Sequence, residues 1–226
     1  MKIICAFQYE LYTTDEQRSA LSRNAGCRRF VFNKALELQN ERKKNSLSLL
    51  RYKELCLELV KWKNEEKTVF LREAMSQPLQ QALKDLDRAI ADSFRPKSDS
   101  ARKEWPKFKS KDIGDGFRIP QFKPEHIDDV NGRVKLPKIG WMRYRKSRPL
   151  AFKCADGSMK SGTVRQIHIR KDCGHWFVVF TTEFDIEMPD PKELDVGIDL
   201  GVVHAVATSD GQFFDLNTGR IKELEK

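Results

Sequence analysis

A chain of 226 residues with 39% hydrophobic and 33% charged residues is long enough for one or two domains with a hydrophobic core. No apolar run reaches the length of a membrane span, and Met1–Phe7 is too short for a signal peptide, which argues against a membrane partner and predicts a cytoplasmic location. The net charge of +9 favours a polyanionic partner such as nucleic acid.

The first predicted element is a strand over residues 2–12, where apolar residues alternate. A helix follows it, because Thr14 and Gln17 have the spacing of a capping box. Within this helix, Arg28 and Arg29 stand beside an aromatic stripe. Two interpretations remain open: a core stripe with solvated arginines, or a helix that faces nucleic acid.

Two further amphipathic helices are predicted before residue 96. The first covers residues 47–62. The second begins at Ser76 as N-cap, tolerates Pro78 in its first turn, and ends at Pro96. Together with the helix after Thr14, they indicate a small bundle inserted after a single strand.

Basic residues alternate with aromatic ones over residues 102–112. Lysines at 107, 109 and 111 (Lys107, Lys109, Lys111) flank Trp105 and Phe108. Such a segment suits phosphate contact and base stacking, but the two rings could equally attach the loop to the core.

The strongest indication of a nucleic-acid partner is residues 133–148, which hold seven cations and no acidic residue. Asn131-Gly132 predicts a hairpin just before this stretch. Trp141 and Tyr144 add expected stacking surfaces. The cations are Arg133, Lys135, Lys138, Arg143, Arg145, Lys146 and Arg148.

Residues 162–187 predict two strands with a turn at 172–175. Cys173 and His175 are metal-ligand residue types, but no second half of a zinc site accompanies them, so a hairpin turn is favoured. The five cysteines are scattered and are expected to be reduced thiols. With residues 2–12 and 113–150, these strands predict an antiparallel barrel or curled sheet.

After a proline-rich linker at 188–193, residues 194–211 predict a β-hairpin that carries Asp199 in an otherwise apolar strand. A carboxylate there is costly to bury and usually meets a cation, although it could simply cap the turn at Gly201. Actin-like ATPases and RNase H-like nucleases both contain such a strand. Only 27 residues follow Asp199, which disfavours the ATPase and predicts an RNase H-like domain that stops soon after it starts.

At this point the sequence resembles the TnpB (OrfB) family, transposon-encoded RNA-guided DNA endonucleases related to type V CRISPR effectors. The resemblance spans essentially the whole chain but only about the N-terminal half of a family member. It rests on RRFVFNKALE at 28–37, WPKFKSK at 105–111, KLPKIGWMRYRKSRPL at 135–150 and VGIDLGVVHAVATSDG at 196–211.

The resemblance implies an α+β fold with three parts. A wedge domain, an OB-like antiparallel β-barrel, would comprise residues 1–12 and 96–190. A helical recognition domain would occupy 13–95, and an incomplete RuvC nuclease domain, beginning with its first β-hairpin, would occupy 191–226.

In the family, the residue at the position of Asp199 is the first RuvC carboxylate, which shares Mg²⁺ with a Glu and a second Asp. Neither partner is found here, and the four-cysteine zinc ribbon is also missing. The resemblance therefore implies Mg²⁺ and zinc in the complete protein, but no cofactor and no cleavage by this chain alone.

The implied partners are a guide RNA derived from the transposon end and double-stranded target DNA. Tyr52 and Gln80 fall where the family reads a short motif beside the target, and Gln can pair bidentately with adenine. Ser76 and Gln77 depart from the family's neighbouring basic and aromatic pattern, so a different motif is expected.

Three functions remain in competition. The first is the binding part of a guide-RNA endonuclease, and the second is a non-cleaving RNA-guided repressor. The third, an actin-like ATPase, rests on residues 197–201 alone.

Overall fold

The structure is a computed structural model. It describes residues 1–96, 98–111, 115–154, 157–187, 196–201 and 204–215. The chain divides into two units, Met1–Ile186 and Glu187–Lys226. The first contains a large antiparallel sheet and α-helices, which confirms the predicted α+β class.

The first unit contains one strand, then the three α-helices, then the remaining strands. Its α-helices are α1 (Asp15–Lys44), α2 (Tyr52–Asn64) and α3 (Ser76–Ser93), with 3₁₀ helices at Glu66–Arg72 and Pro124–His126. Its strands are β1 (Lys2–Tyr12), β2 (Gly116–Ile119), β3 (Ile127–Asp128), β4 (Arg133–Leu136), β5 (Gly140–Tyr144), β6 (Ala151–Lys153), β7 (Met159–Ser161), β8 (Thr163–Asp172) and β9 (His175–Asp185).

The predicted first strand is confirmed, and β1 joins the two halves of the large sheet. Residues from Lys2 to Glu10 pair with β9, whereas Leu11 and Tyr12 pair with β5. Every second side chain near its end, Phe7, Tyr9 and Leu11, is buried because strand residues alternate between faces.

The sheet has the strand order β2-β8-β9-β1-β5-β4-β3, and all neighbours are antiparallel. Its edge strands β2 and β3 do not pair with each other. The predicted closed OB-like barrel is therefore not observed in the part of the chain that the structure describes. β6 and β7 form a separate two-stranded hairpin.

The predicted capping box starts α1. The Thr14 hydroxyl accepts a hydrogen bond from the Gln17 N–H at 3.2 Å, and the Gln17 side chain accepts from the Thr14 N–H at 3.1 Å. The helix continues past Gly26 to Lys44.

The starts of α2 and α3 differ from prediction. Helix α2 begins at Tyr52 rather than at residue 47, because the side chain of Gln39 binds both the N–H and the C=O of Leu50. Helix α3 has Met75 as N-cap, and Ser76 is its first helical residue. No helix in the described ranges is both long and apolar enough to cross a membrane.

Two hydrophobic clusters lie within the first unit. One fills the concave side of the sheet and includes Leu21 and Ala25 of α1 and Met75. The other lies between the three helices, around Leu36, Leu83 and other apolar residues. Because α1 contributes to both, it holds the helices against the sheet. The predicted domain boundaries at residues 12 and 96 stay a prediction.

Both predicted hairpin turns are present. Gly132 has φ +60° between β3 and β4, and Cys173 and Gly174 have φ +44° and +85° between β8 and β9. Two consecutive positive φ values are typical of the tight turn that matches the twist of paired strands.

The second unit contains a three-stranded antiparallel sheet of β10 (Ile198–Asp199), β11 (Val206–Thr208) and β12 (Phe213–Phe214). Strand β10 pairs with β11, and Gly211, with φ +85°, turns the chain into β12. The predicted linker at 188–193 lies outside the described residues.

Candidate nucleic-acid interface

One face of β4, β5 and the end of β1 is exposed and carries cations between aromatic rings. Five side chains point outward here, because the strand residues next to them point into the core. The inward neighbours are Leu11, Val134, Leu136, Met142 and Tyr144. We name this surface the basic-aromatic face. Its residues are Tyr12, Arg133, Lys135, Trp141 and Arg143.

The strand register brings these side chains together in two rows. Arg143 lies opposite Arg133 on one side and opposite Tyr12 on the other. Lys135 lies opposite Trp141. Cross-strand neighbours have Cβ atoms about 5 Å apart, so cations and rings alternate within contact distance.

The charge on the basic-aromatic face is only partly neutralised. Arg133 donates to the Asp128 carboxylate at 2.7 Å and lies 4.9 Å from the centre of the Trp141 ring. Hydrogen bonds from Asn131 and Arg133 lower the pKa of Asp128 to about 2. Among the described residues, Lys135 and Arg143 have no carboxylate partner, and like charges directly opposite each other destabilise a sheet.

The remaining cations of residues 133–148 lie off this face. Lys146 binds the carboxylate and the carbonyl oxygen of Asp129, both at 2.8 Å. Lys138 donates to carbonyl oxygens at Arg72 and Ala74, next to the helices. The guanidinium of Arg148 lies 5.1 Å from the centre of the Phe7 ring. The side chain of Arg145 is exposed and has no partner within the described ranges.

Tyr144 does not offer the predicted stacking surface. Its side chain is 3% exposed and packs against Tyr9 and Phe180. Its hydroxyl donates to Asp129 at 3.0 Å, and burial raises its pKa. The strand alternation that exposes Trp141 and Arg143 necessarily turns Tyr144 inward.

A second candidate surface is a groove of about 450 Å³ between the helices and the end of β2. It brings together Tyr52 of α2 and Gln80 of α3, the two residues singled out in the sequence. The exposed side chains of Gln80, Lys84 and Arg88 line one wall. We name this surface the glutamine groove. Its other lining residues are Gln77, Gln81, Asp85, Arg118, Pro120, Gln121 and Gln166.

The floor of the glutamine groove is fixed by hydrogen bonds. The Gln77 side chain donates to the Gln121 carbonyl oxygen at 2.7 Å and accepts from the Gln121 N–H at 2.9 Å. The Asp85 carboxylate accepts from both Arg118 and Arg28. Sequence reasoning missed Arg118, Asp85 and Gln121, because no local pattern marks residues that a distant element brings together.

Both arginines predicted on α1 are bound within the protein. Arg28 donates to Asp85 at 3.1 Å and to the carbonyl oxygen of Gly116 at 2.8 Å. Arg29 donates to Asp115 at 2.6 Å. The structure thus places them between the helices and β2, and their predicted contact with nucleic acid remains a prediction.

The loop of residues 98–111 is attached to α1. Asn33 binds both the N–H and the C=O of Lys109, at 2.8 and 3.0 Å. The Trp105 indole donates to Asn40 at 2.8 Å. Trp105 therefore attaches the loop to the core, whereas Phe108 is 56% exposed.

The three predicted lysines of this loop differ in environment. Lys107 is exposed and pairs with Glu104, and Lys111 is exposed. The ammonium of Lys109 lies 3.9 Å from the centre of the Phe32 ring. Burial and the neighbouring Arg28 lower the pKa of Lys109 to about 8.

Asp199 lies on β10 with its side chain exposed, opposite Ala207. A carboxylate oxygen is a suitable ligand for Mg²⁺. Within the ranges that the structure describes, however, no group of three or more His, Cys, Asp or Glu residues is arranged to hold a metal ion. The described residues therefore do not provide a complete metal site.

Comparisons with known proteins agree with this combination of features. Residues 1–47 match a family model of the OrfB type, described as a helix-turn-helix domain. The chain is 38% identical to InsQ of Escherichia coli (strain K12), named as an RNA-guided DNA endonuclease, over 216 residues that cover 95% of the chain and 50% of InsQ. It is 32% identical to another protein named as an RNA-guided DNA endonuclease, from Streptomyces pristinaespiralis, over 92% of the chain and 48% of that protein. The chain spans about half the length of these curated relatives.

The segment that matches the helix-turn-helix description contains β1 and α1. The next helix, α2, begins at Tyr52, beyond the matched residues. Tyr52, which is among the residues that line the glutamine groove, therefore lies outside the matched segment.

Proposed function

Because the chain belongs to the TnpB (OrfB) family, we propose that its residues bind guide RNA and double-stranded target DNA as the nucleic-acid-binding part of an RNA-guided DNA endonuclease. The observation that carries this proposal is the basic-aromatic face. It exposes cations and rings on a rigid sheet, with more positive than negative charge nearby.

Phosphate contact explains the charge arrangement of this face. Arg133 and Arg143 are directly opposed, which costs stability unless an anion lies between or beside them. A nucleic-acid backbone supplies such anions, and releasing its counterions favours binding. Trp141 and Tyr12 would then contact sugars or bases at the same surface.

The glutamine groove is proposed to read a short motif in duplex DNA. Tyr52 is the first residue of α2, and its side chain lines the groove. Gln80 is exposed on the opposite wall, and a Gln side chain can bind adenine through two hydrogen bonds. The side chain of Gln77 is already bound to Gln121, so it is less available for reading bases.

For the chemistry, Asp199 is proposed as one ligand of a Mg²⁺ site, on the first hairpin of a RuvC-type domain. The large sheet of the first unit would correspond to the wedge domain, and α1–α3 to the recognition lobe. When bound, Mg²⁺ would supply stabilisation of charge on phosphate oxygens. A single carboxylate does not hold that ion in a catalytic geometry, so the proposal requires further ligands.

The test is the salt dependence of binding to labelled duplex DNA and to a labelled hairpin RNA, followed by fluorescence anisotropy. The double variant Lys135→Gln/Arg143→Gln should bind about tenfold more weakly, and its salt slope should fall by about 2. Circular dichroism should show that it remains folded.

The matched control removes two exposed lysines elsewhere, Lys67→Gln/Lys160→Gln, neither of which has a partner among the described residues. It should bind like the unmodified chain. Equal losses in both double variants, or affinity that does not change between about 50 and 200 mM salt, would contradict the proposal.

A further inference from the structure

An open cleft of about 570 Å³ lies where α3 ends, away from the residues of the basic-aromatic face and the glutamine groove. This volume falls in the range of about 300–1,000 Å³ that is typical of sites for small ligands. We name it the Phe94 cleft. The lining residues used below are Lys43, Phe94, Arg102, Lys103, Glu104 and Trp105.

The cleft presents an aromatic ring whose position is fixed but whose surface is free. Phe94 is the C-cap residue of α3 and is 65% exposed. Its ring meets the Trp105 ring edge to face, with centres 6.0 Å apart and planes at 82°. Trp105 is itself fixed by its hydrogen bond to Asn40. The contact with Trp105 therefore holds the Phe94 ring in position and leaves a face of the ring accessible to a ligand.

The charges around this ring are predominantly positive. In the described residues at the cleft and its rim, five cations accompany three carboxylates. Asp92 and Asp99 are both bound by Arg95, and Glu104 is paired with Lys107. The cations are Lys43, Arg95, Arg102, Lys103 and Lys107, and the carboxylates are Asp92, Asp99 and Glu104.

Two cations remain available to a ligand. The guanidinium of Arg102 has no partner among the described residues. The Lys103 ammonium lies 3.7 Å from the Asp92 carboxylate, which Arg95 also binds at 3.0 Å, and the Lys103 side chain is 71% exposed, so it can still reach a ligand. Lys43 lies 3.9 Å from the centre of the Trp105 ring rather than beside a carboxylate. The cleft thus combines a free ring with uncompensated positive charge.

We infer that the Phe94 cleft binds an unpaired nucleotide of a single-stranded nucleic acid, with the base on Phe94 and a phosphate at Arg102 and Lys103. This inference rests on the proposed nucleic-acid function and adds the subsite that takes a nucleotide outside a duplex. In a duplex both faces of a base are covered by its neighbours, so an exposed ring can stack only on a base that is unpaired or at an end.

The phosphate position follows from the helix ends. Helices α1 and α3 both direct their C-terminal carbonyl groups towards this region, and these carry partial negative charge. A phosphate is therefore disfavoured at the helix ends themselves. It is favoured at Arg102, on the loop that follows α3. Lys103, whose N–H donates to the Asp92 carbonyl oxygen at 3.2 Å, lies at the end of α3, where its positive charge offsets the partial negative charge of the helix end.

The test uses oligonucleotides with one 2-aminopurine, a base whose fluorescence falls when it stacks on an aromatic ring. Single-stranded RNA, single-stranded DNA and a duplex with the probe paired form the three arms. With the unmodified chain, fluorescence should fall in at least one single-stranded arm and not in the duplex. In Phe94→Leu that decrease should disappear, and affinity for the strand should weaken about fivefold or more.

Phe70→Leu is the matched control, because Phe70 is also exposed and lies on the 3₁₀ helix before α3. It should behave like the unmodified chain. Arg102→Gln provides a second variant that leaves the rings intact, and it should weaken strand binding and lower the salt slope by about 1. Unchanged thermal midpoints would show that the variants are folded.

The outcomes separate this inference from the proposed function. A decrease confined to RNA or to DNA supports the cleft and identifies the strand. If strands bind with strong salt dependence and Phe94→Leu retains the full decrease, the cleft assignment is wrong while the proposed function stands. If the unmodified chain binds no nucleic acid at all, both are wrong.

Discussion

Two basic regions of this protein have the same appearance in the sequence and different roles in the structure. On α1, Arg28 and Arg29 are bound by Asp85 and Asp115, which are 57 and 86 residues distant along the chain. On the basic-aromatic face, Arg143 has no such partner among the described residues. The comparison shows that distant carboxylates, rather than the local density of cations, decide whether a cation is available to a ligand.

The difference has a geometric origin. The α1 arginines point into the junction of α3, the start of β2 and Asp115 just before it, where several elements supply acceptors. The face of β4 and β5 points away from the core, and the carboxylate that binds its Arg133 is Asp128, in the adjoining strand β3. A surface that no other described element of its unit covers keeps its charge for a partner.

The largest expected effect comes from removing Asp85. Its carboxylate binds Arg28 and Arg118 and is only 25% exposed, so Asp85→Ala leaves two guanidinium groups without a carboxylate, although Arg28 keeps its hydrogen bond to the Gly116 carbonyl oxygen. We expect a loss of about 2 kcal/mol in the free energy of unfolding, below the 3–5 kcal/mol of fully buried pairs. The midpoint of urea denaturation measures it.

Arg143→Ala is the control for this prediction, because an exposed cation without a partner should change the free energy of unfolding by less than about 0.5 kcal/mol. If both variants have the same urea midpoint, the Asp85 ion pairs are not structural, and the two regions do not differ as proposed.

Effects of intermediate size are expected from substitutions on the two faces of β5, one changing stability and the other changing binding. Tyr144→Phe removes the buried hydrogen bond to Asp129 and should lower the free energy of unfolding by about 1 kcal/mol without changing affinity for nucleic acid. Trp141→Leu should do the reverse, weakening binding without a comparable change in stability. Urea denaturation and anisotropy titration of both variants give the four values. A binding defect in Tyr144→Phe would contradict the inward orientation.

The effect that is smallest at neutral pH, and grows as pH falls, is the titration of His168. Burial, together with Arg28, Arg118 and Arg170, lowers the pKa of His168 from 6.5 to about 4. Between these values the unfolded chain binds more protons, so the His168 contribution to stability is complete above pH 6.5 and is lost as pH falls towards 4. His168→Gln should flatten the fall of the urea midpoint over this range. An unchanged pH profile would show that His168 is not shielded beside these arginines.

The elements that the sequence predicted well are those with a local cause. The alternation of residues 2–12, the Thr14–Gln17 capping box and the two hairpin turns all depend on neighbours within a few residues. The start of α2 was wrong because Gln39, on another helix, binds the backbone of Leu50. The antiparallel sheet was expected correctly as a class, whereas its closure into a barrel stays a prediction, because closure depends on strands far apart in sequence.

The candidate site shows the same division. Outward Arg133 and Arg143 follow from strand alternation, and the resemblance to the family placed Tyr52 and Gln80, which meet in one groove. The inward orientation of Tyr144 follows from the same alternation, but it can be predicted only once it is known which residues of β5 face the core. Nothing local indicated that Arg118 would join Gln80 at the same groove.

The division of β1 between two partners has a consequence for biosynthesis. Lys2 pairs with Asp185, and Phe7 pairs with Phe180, so this strand leaves the ribosome long before β9 exists. At about 5–20 residues per second, the delay is roughly 10–35 s. Helices α1–α3 can form in that interval, while β1, with its apolar side chains, still lacks its partner β9. We expect the nascent chain to depend most on chaperones during this time.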